Sequence, residues 1–399
     1  MKSVPFYLVV IAFLFSCSIF RNNVDVNQGN VSPSSYRETL PFDHIREKVI
    51  VPVMINGKER RFIFDTGAIT VISNSLYEEM QYLALGNEPF YDIHKNRDTS
   101  LVVQVRKMKL GQVSFNNIPA LVYDLKALPW GCFEIDGIIG SNMLRESSVQ
   151  INLQDSTLTI ADHICKMDLG NARKNKMRLN KQNSPFIKLL FDQGHSDYFL
   201  FDSGSDGFVN MNRDLFLQMK DEVPVQMQRK GNGSNAMGII GNGRRDDVYR
   251  VVLDSFGIAS HSVLDPLIEV TSTRSKVGSQ LFHFGKVTLD YVNQNFFFEA
   301  YQLPLVYDRE ESPGYGFIPV VDKNTLRVGL VWENSLVDSL GLKPNQRIIR
   351  INEYNFADSL EDAFCTLFLE NALRESKEIE MIYQNHQGAY KRVKIRRKQ

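Results

Sequence analysis

Phe62-Ile63-Phe64-Asp65-Thr66-Gly67-Ala68 and Phe199-Leu200-Phe201-Asp202-Ser203-Gly204-Ser205 are two copies of one short motif in a single chain. In each copy, three apolar residues predict a short buried strand, and a carboxylate, a hydroxyl residue and a glycine predict a sharp turn after it. One copy alone is typical of an ordinary β-turn. Two copies, 137 residues apart, predict two carboxylates held face to face, where like charges share one proton.

The sequence around each motif is repeated as well. A predicted β-hairpin leads into each aspartate, and in the first copy its turn is Asn56-Gly57. Each motif is followed by a helix-like segment, by short strands and then by a second glycine landmark, Gly140 or Gly278, after which the copies align without a gap. The spacing predicts two duplicated β-rich lobes.

Composition and charge indicate a folded chain with no electrostatic preference for nucleic acid. The 399 residues are 43% hydrophobic, enough for a large core and two or three domains. Lys+Arg and Asp+Glu are both 46, so the net charge favours neither nucleic acid nor an anionic membrane surface as a partner.

The N-terminal segment is typical of an exported protein. Residues 1–17 combine a basic residue with an apolar run too short to span a bilayer, and they end in Leu14-Phe15-Ser16-Cys17. This ending resembles a bacterial lipobox and implies lipidation at Cys17 and anchoring to a membrane, in the periplasm or at the cell surface. An ordinarily cleaved signal is the alternative. Residues 18–44 then read as a flexible tether.

The Asp65-Thr66-Gly67-Ala68 and Asp136-Gly137-Ile138-Ile139-Gly140 segments resemble the aspartic proteases of the retropepsin and pepsin group, across about residues 45–300. The resemblance implies two lobes in one chain, a catalytic pair made of Asp65 and Asp202, and no cofactor or metal. It assigns supporting roles to the residues that lock and underlie the two loops: Thr66, Gly67, Ser203, Gly204, Ile138, Ile139, Gly140, Val277 and Gly278. The chain departs from the family pattern at Lys276, where an apolar residue is expected.

The resemblance also implies peptide-bond hydrolysis by water activated between the two carboxylates. Ala68 cannot donate a hydrogen bond to a carboxylate, whereas Ser205 can, so we expect Asp202 to be the more readily ionised member. Activity is then expected between mildly acid and neutral pH. Hairpins that close over substrate are expected near residues 90–101, with Tyr91 facing the substrate, and near residues 231–243. Because both lobes lie in one chain, a monomer suffices.

A third unit follows the lobes. Gly314-Tyr315-Gly316-Phe317 leads an apolar strand, and Gly341-Leu342-Lys343 precedes another, which together resemble a PDZ domain. That resemblance implies that residues 314–317 bind the C-terminal carboxylate of a peptide beside an edge strand. The basic C-terminal tail is expected to be a final strand with a solvated face, with contact to anionic lipid or surface polymer as the alternative.

The fold class expected is mainly β: two duplicated acid-protease lobes followed by a small PDZ-like β/α domain. The expected divisions are a signal peptide at 1–17, a tether at 18–44, a first lobe at 45–165, a linker at 166–184, a second lobe at 185–300, a linker at 301–313 and a PDZ-like domain at 314–399.

Cysteine and histidine patterns do not predict a metal site. Past Cys17, only Cys132, Cys165 and Cys365 remain, without metal-type spacing, and a Cys132–Cys165 bridge is possible. The seven histidines are scattered, and each is expected at the surface or in the core. No Gly-x-Ser-x-Gly occurs, which argues against a serine hydrolase. A catalytically inactive, protease-like binding or scaffold protein is the alternative to a peptidase.

Overall fold

The structure is a computed structural model that describes residues 24–92, 94–235, 238–307, 315–370 and 372–396. The predicted signal peptide, Cys17, Gly314 and the last basic residues lie outside the described residues. The described part is mainly β, as the sequence predicts. Within it, no helix is both long and apolar enough to cross a membrane.

The first lobe contains a hairpin that leads into Asp65 and a long hairpin after it. Its strands are β1 Asn30–Ser32, β2 Arg37–Pro41, β3 Asp43–Ile45, β4 Lys48–Ile55, β5 Lys58–Phe64, β6 Val71–Ser73, β7 Leu83–Tyr91, β8 Arg97–Leu110, β9 Val113–Tyr123, β10 Gly137–Ile139, β11 Ser148–Asn152 and β12 Thr157–Ala161. Its helices are α1 Asn74–Met80 and α2 Ser141–Leu144, with 3-10 turns at Trp130–Phe133 and Ile164–Lys166.

The second lobe follows the same order of elements. Its strands are β13 Arg173–Leu179, β14 Pro185–Leu190, β15 Ser196–Asp202, β16 Val209–Asn212, β17 Val225–Gly233, β18 Asp246–Leu253, β19 Ser255–Ile258, β20 His261–Leu264, β21 Leu267–Thr271, β22 Lys276–Gly278, β23 Gly285–Asp290, β24 Asn295–Ala300 and β25 Leu305–Val306. Its helix is α3 Arg213–Met219, with 3-10 turns at Asp192–Gly194 and Ser279–His283.

Strand pairing shows that the two lobes are copies of one topology. In the first lobe β5 pairs parallel with β10, β10 antiparallel with β6, and β6 parallel with β9. In the second lobe β15 pairs parallel with β22, β22 antiparallel with β16, and β16 parallel with β21. The helices α1 and α3 begin after equivalent strands, and each is capped by a polar side chain, Ser73 or Asn212.

Local sequence accounts for the hairpin that leads into the first carboxylate. Asn56 and Gly57 both have positive φ, 50° and 75°, as a two-residue turn of this hairpin type requires. Along β5 the chain changes from exposed charged residues to Phe62, Ile63 and Phe64, which are buried. Burying each aromatic ring contributes about 1.5–3 kcal/mol, so the strand end that carries Asp65 is firmly anchored.

A sheet across the two lobes includes part of the expected tether and part of the expected linker at 166–184. It joins β2, β12, β11, β23, β24 and β13 in that order, with β11 and β23 meeting at its centre. Residues 166–184 therefore contain a paired strand, β13, and residues 18–44 contain β1, β2 and β3 from position 30 onward. Exposed charged residues alternate with more buried residues along these segments, as is common in edge strands. Their polar composition alone therefore suggested linkers and not strands.

The C-terminal module is a small β/α unit with its own core. Its strands are β26 Phe317–Asp322, β27 Thr325–Trp332, β28 Arg347–Ile351, β29 Tyr354–Asn355, β30 Glu378–Gln384 and β31 Tyr390–Arg396. Its helices are α4 Leu336–Ser339, α5 Leu360–Leu369 and α6 Ala372–Glu375. The expected basic tail strand is β31, which pairs with β30.

The module is attached to both lobes. Cys132, in the first lobe, forms a disulfide with Cys365 on α5, and Cys165 is free and exposed. The Cys132–Cys165 bridge that the sequence left possible is therefore wrong. In the second lobe, β17 pairs antiparallel with the end of β27, so the ladder is continuous from lobe to module.

Candidate active site

The two aspartates leave equivalent strands and face each other across the lobes. Asp65 follows β5 directly, and Asp202 is the last residue of β15. Strand β10 runs parallel beside β5, and β22 beside β15, so each carboxylate emerges at the end of a strand pair. Buried aromatic rings, of Phe62 and Phe64 in the first lobe and of Phe199 and Phe201 in the second, anchor the two strand ends.

Crossed hydrogen bonds lock the two turns together. The Thr66 N–H donates to Ser203 Oγ at 3.0 Å, and the Ser203 N–H donates to Thr66 Oγ1 at 3.1 Å. Each hydroxyl then donates across the interface, Thr66 to the Phe201 carbonyl at 2.6 Å and Ser203 to the Phe64 carbonyl at 2.9 Å. Both hydroxyl residues are fully buried, so losing either bond would leave a buried polar group unpaired.

The glycine of each turn lies against the carboxylate of the other turn. A Cβ added to Gly67 would lie 2.7 Å from Asp202 Oδ1, and one added to Gly204 would collide with the Asp65 carboxylate. Any side chain at these positions would push the carboxylates apart. The approach is reciprocal, and it brings Asp65 and Asp202 into one site.

A second glycine element supports each turn from beneath. The Ile139 carbonyl accepts from the Asp65 N–H at 3.0 Å, and Ile138 and Ile139 pair with β5. A Cβ at Gly140 would collide with the backbone of residues 68–70. Ser141, which sequence reasoning did not assign, donates to the Thr66 carbonyl at 2.7 Å.

The second turn is supported in the same way, despite the lysine in its supporting strand. Val277 and Gly278 pair with the end of β15, and a Cβ at Gly278 would meet the carbonyls of Ser205 and Gly207. Ser279, at the position equivalent to Ser141, donates its hydroxyl to the Ser205 carbonyl at 2.7 Å, two residues further along the turn than the carbonyl that accepts from Ser141. The lysine therefore does not weaken this support.

The surroundings of Asp65 favour its protonated form. Desolvation within the site, and then the negative charge of Asp202, raise the pKa of Asp65 to about 7, although the Gly67 N–H and two lysines oppose this shift. The Gly67 N–H donates to Asp65 Oδ1 at 2.8 Å. Asp65 therefore keeps its proton up to neutral pH.

A lysine forms an ion pair with Asp202. Lys276 Nζ lies 3.7 Å from Asp202 Oδ2, and both side chains are largely buried. Ser205, expected to donate to the Asp202 carboxylate, makes no side-chain hydrogen bond within the described residues; its N–H donates to the Asp202 main-chain oxygen. The ion pair arises because the register of β22 aligns Lys276 beside Leu200, two residue pairs before the pair that contains Asp202.

Lys48 is a second cation that sequence reasoning missed. It begins β4 in the first lobe, is only 7% exposed, and its Nζ donates to the Gly204 carbonyl at 2.5 Å. This bond ties the first lobe to the second carboxylate turn. The sequence feature that could have indicated its role is its position, as a charged residue directly before the apolar run Val49-Ile50-Val51.

Two hairpins meet at their tips beside the site. The turn between β7 and β8 contacts the loop between β17 and β18, where Asn96 Nδ2 donates to the Asn242 carbonyl at 3.2 Å. Ile239 and Ile240 of that loop pack against a first-lobe apolar cluster that includes Ala68 and Ile69. These are the hairpins expected near residues 90–101 and 231–243. Tyr91, at the end of β7, is 62% exposed.

The expected peptide-binding loop is packed into the C-terminal module. Tyr315 and Phe317 are buried, and the Tyr315 hydroxyl donates to the Ser376 carbonyl at 2.5 Å. Gly316 has a φ of 91°, a conformation that favours glycine. Among the described strands, β26 pairs with β27 only, and its Val321 carbonyl accepts from Asn242 Nδ2 at 2.7 Å.

A cavity of about 410 Å³ lies between this loop and β17 of the second lobe. Its lining includes Tyr315, Gly316, Trp332 and the basic residues Arg229, Lys230 and Arg396. Lys230 and Arg396 form ion pairs with Glu333 and Glu378. Half-buried Arg229 has no hydrogen-bond or ion-pair partner within the described residues, and burial, followed by the charge of Arg250, lowers its pKa. The cavity therefore contains an uncompensated cation.

Comparison with protein families agrees with the first lobe. Residues 51–143 match the family model described as an aspartyl protease. The matched span includes Asp65 and the Ile138-Ile139-Gly140 support, and it ends before Asp202. A comparison with curated proteins found no relative of the chain.

Proposed function

We propose that this chain is an aspartic endopeptidase whose catalytic pair is Asp65 and Asp202. The observation that carries the proposal is the set of crossed hydrogen bonds between Thr66 and Ser203, which holds the two carboxylate turns face to face. The aspartyl protease match over residues 51–143 supports the same class of chemistry. A scaffold function alone would not require two carboxylates held in one site.

The raised pKa of Asp65 supports a different role for each aspartate, with Asp65 as the proton donor and Asp202 as the base. The Asp202 carboxylate takes a proton from a water molecule whose oxygen attacks the peptide carbonyl carbon, while Asp65 gives its proton to the carbonyl oxygen. The resulting diol then returns a proton to Asp65 as the carbonyl re-forms. The C–N bond breaks, and protonated Asp202 delivers its proton to the leaving amine. Both carboxyl groups end in their starting state.

Asp65→Asn and Asp202→Asn test the proposal directly. Each substitution keeps the side-chain shape but removes an essential proton donor or acceptor, so peptide cleavage is expected to fall at least ~100-fold. The measurement is the initial rate of cleavage of a broad peptide library, followed by mass spectrometry. Asp197→Asn, on the exposed part of β15, is the matched control and should retain wild-type rates.

The alternative is a catalytically inactive protein that uses the same lobes to bind peptides. Wild-type protein that binds peptides of the library but cleaves none of them would favour this alternative. Cleavage that persists in both aspartate variants would point to a different catalytic centre. The first outcome would refute peptidase activity, and the second would refute only the assignment of Asp65 and Asp202 as the catalytic pair.

The C-terminal module is proposed to recruit the C-terminal ends of peptides or proteins. Within the described residues, the unpaired edge of β26 and the unpaired Arg229 near Gly316 support this role, because an added strand could pair with the edge and a carboxylate could pair with the arginine.

The N-terminal sequence supports an exported protein anchored by lipid at Cys17, in the periplasm or at the cell surface. The Cys132–Cys365 disulfide fits an oxidising compartment. One chain supplies both lobes, so a monomer is proposed.

A further inference from the structure

Two histidines and a glutamate converge at the junction of the lobes, outside the carboxylate pair. His44 lies on β3 and Glu47 in the tight turn between β3 and β4 of the first lobe, and His283 ends a 3-10 turn in the second. His283 Nε2 lies 2.9 Å and 3.1 Å from the two Glu47 carboxylate oxygens, and His44 Nε2 lies 3.5 Å from one of them. All three ligand atoms lie within 4.8 Å of one another.

One ring nitrogen in this cluster is enclosed and has only a long ion-pair contact, 3.5 Å from His44 Nε2 to Glu47 Oε2. His44 Nε2 is shielded from solvent and makes no hydrogen bond within the described residues, although it points toward Glu47. A buried polar atom without a partner costs free energy, and a metal ion would satisfy it. Within the described part of the chain, no other three histidine, cysteine or carboxylate side chains bring their ligand atoms so close.

We propose that His44, Glu47 and His283 bind a divalent transition metal ion, with Zn²⁺ as the best match. Two imidazole nitrogens and one carboxylate are an established zinc donor set that leaves a fourth position for water. At metal–ligand distances of ~2.0–2.2 Å, tetrahedral ligands lie about 3.3 Å apart. The two separations to Glu47 Oε2, 2.9 and 3.5 Å, already bracket that value.

The chemistry of the site selects against hard cations. Ca²⁺ and Mg²⁺ prefer oxygen ligands, whereas imidazole nitrogen favours zinc, copper and nickel. His283 is 47% exposed, so the site has an entry path and room for a water ligand. A bound ion would link the first lobe to the second through Glu47 and His283, which are otherwise joined by a hydrogen bond.

The cluster lies next to residues that hold the second carboxylate turn in place. Glu47 directly precedes Lys48, which donates to the Gly204 carbonyl in the second carboxylate turn. His283 ends the 3-10 turn that begins with Ser279, which holds the same turn from beneath. A metal at this junction would therefore brace two of the contacts that fix the second carboxylate turn.

Titration of the untagged full-length protein with ZnCl₂ by calorimetry tests the proposal. We expect one equivalent of Zn²⁺ to bind, with affinity at least ~10-fold weaker in His283→Gln and in His44→Gln. Co²⁺ should give the visible absorption of a tetrahedral site in wild type and lose it in both variants. His195→Gln is the matched control, because His195 pairs with Glu222 at 2.8 Å without a third ligand.

The outcomes are separable from the peptidase proposal, because binding is measured without substrate and in Asp65→Asn protein as well. Absence of one-to-one Zn²⁺ binding by folded wild-type protein would overturn the site. Equal loss of binding in His195→Gln and His283→Gln would also overturn it, because it would mean that single histidine–glutamate pairs account for the signal. Circular dichroism of each variant identifies any loss of fold.

Discussion

At the scale of single residues, the charge beside the carboxylate pair is the feature that distinguishes this site. Lys276 stands where the aspartic protease pattern leads one to expect an apolar residue, and its ammonium group lies 3.7 Å from Asp202. It lowers the pKa of Asp65, although desolvation and the Asp202 charge prevail and leave that pKa at about 7.

Lys276→Met should move the pH–rate profile of peptide cleavage to higher pH. Lys276 is one of the charges that hold the pKa of Asp65 down, so without it that pKa rises further. We expect the limb of the profile that Asp65 governs to move upward by roughly one pH unit, the scale of a close charge effect. The measurement is kcat/KM for one peptide between pH 4 and pH 9.

Lys286→Met is the matched control for this change. Lys286 is also largely buried and paired, at 2.6 Å from Glu299, but it lies on β23 outside the site. Its profile should overlay that of wild type. A Lys276→Met profile that stays in place or moves to lower pH would contradict the role assigned to the lysine.

At the scale of elements, one hairpin of the second lobe links the site to the C-terminal module. The end of β17 pairs with β27, and the loop that follows reaches the first-lobe hairpin. In the same loop, Asn242 Nδ2 donates to the Val321 carbonyl of β26 at 2.7 Å. The same loop thus touches both the opposing hairpin and the edge strand where a peptide would add.

Arg229→Met should remove the preference of the module for a free peptide carboxylate. In wild type, a fluorescent peptide ending in Val is expected to bind at least ~10-fold more tightly than its C-terminal amide, because the carboxylate pairs with the uncompensated Arg229. In Arg229→Met the two peptides should bind equally. Fluorescence polarisation measures both affinities.

The control for this change is Arg350→Met, in the same module. Arg350 is paired with Glu380 at 2.8 Å and does not line the cavity, so its loss should leave the discrimination intact. Equal binding of acid and amide peptides by wild-type protein would show that no carboxylate is recognised at this cavity.

At the scale of the whole molecule, the three units form one connected assembly. The lobes share one hydrophobic core and one sheet, and the module adds its own core. The Cys132–Cys365 disulfide spans 233 residues and fastens α5 to the first lobe, where Phe133 and Phe368 also stack edge to face at 5.7 Å. The module is thereby fixed to the first lobe covalently and to the second by a β-ladder.

Replacing both cysteines by serine should weaken the attachment of the module to the first lobe. Long-loop disulfides typically stabilise by roughly 2–4 kcal/mol, so the melting temperature should fall by several degrees. Amide hydrogen exchange should rise in α5 and in residues 130–133, while the carboxylate turns stay protected. Cys165→Ser, which removes the free and exposed thiol, is the control and should melt like wild type.

A melting temperature unchanged by the double substitution would mean that packing and the β-ladder alone hold the module. Faster exchange at Thr66 and Ser203 would mean instead that the disulfide supports the carboxylate turns themselves. Either result would contradict the proposal that the disulfide holds the module to the first lobe without supporting the carboxylate turns.

The sequence by itself determined the duplicated hairpins, the two carboxylate turns and their supporting glycines. These features follow from local patterns, because an apolar strand, a turn glycine and a hydroxyl each impose their geometry within a few residues. Their repetition at matching spacing then indicated the pairing of Asp65 with Asp202. The mainly β class followed from the same short, regularly interrupted apolar runs.

Only the tertiary structure decided which distant residues share a site. The register of β22 brings Lys276 to Asp202, and the fold brings Lys48 to Gly204, Cys365 to Cys132, and His283 to Glu47. It also made paired strands of polar segments that look like linkers. No local pattern encodes these contacts, because they depend on how whole strands and lobes align, and a shift of one residue would turn each side chain away.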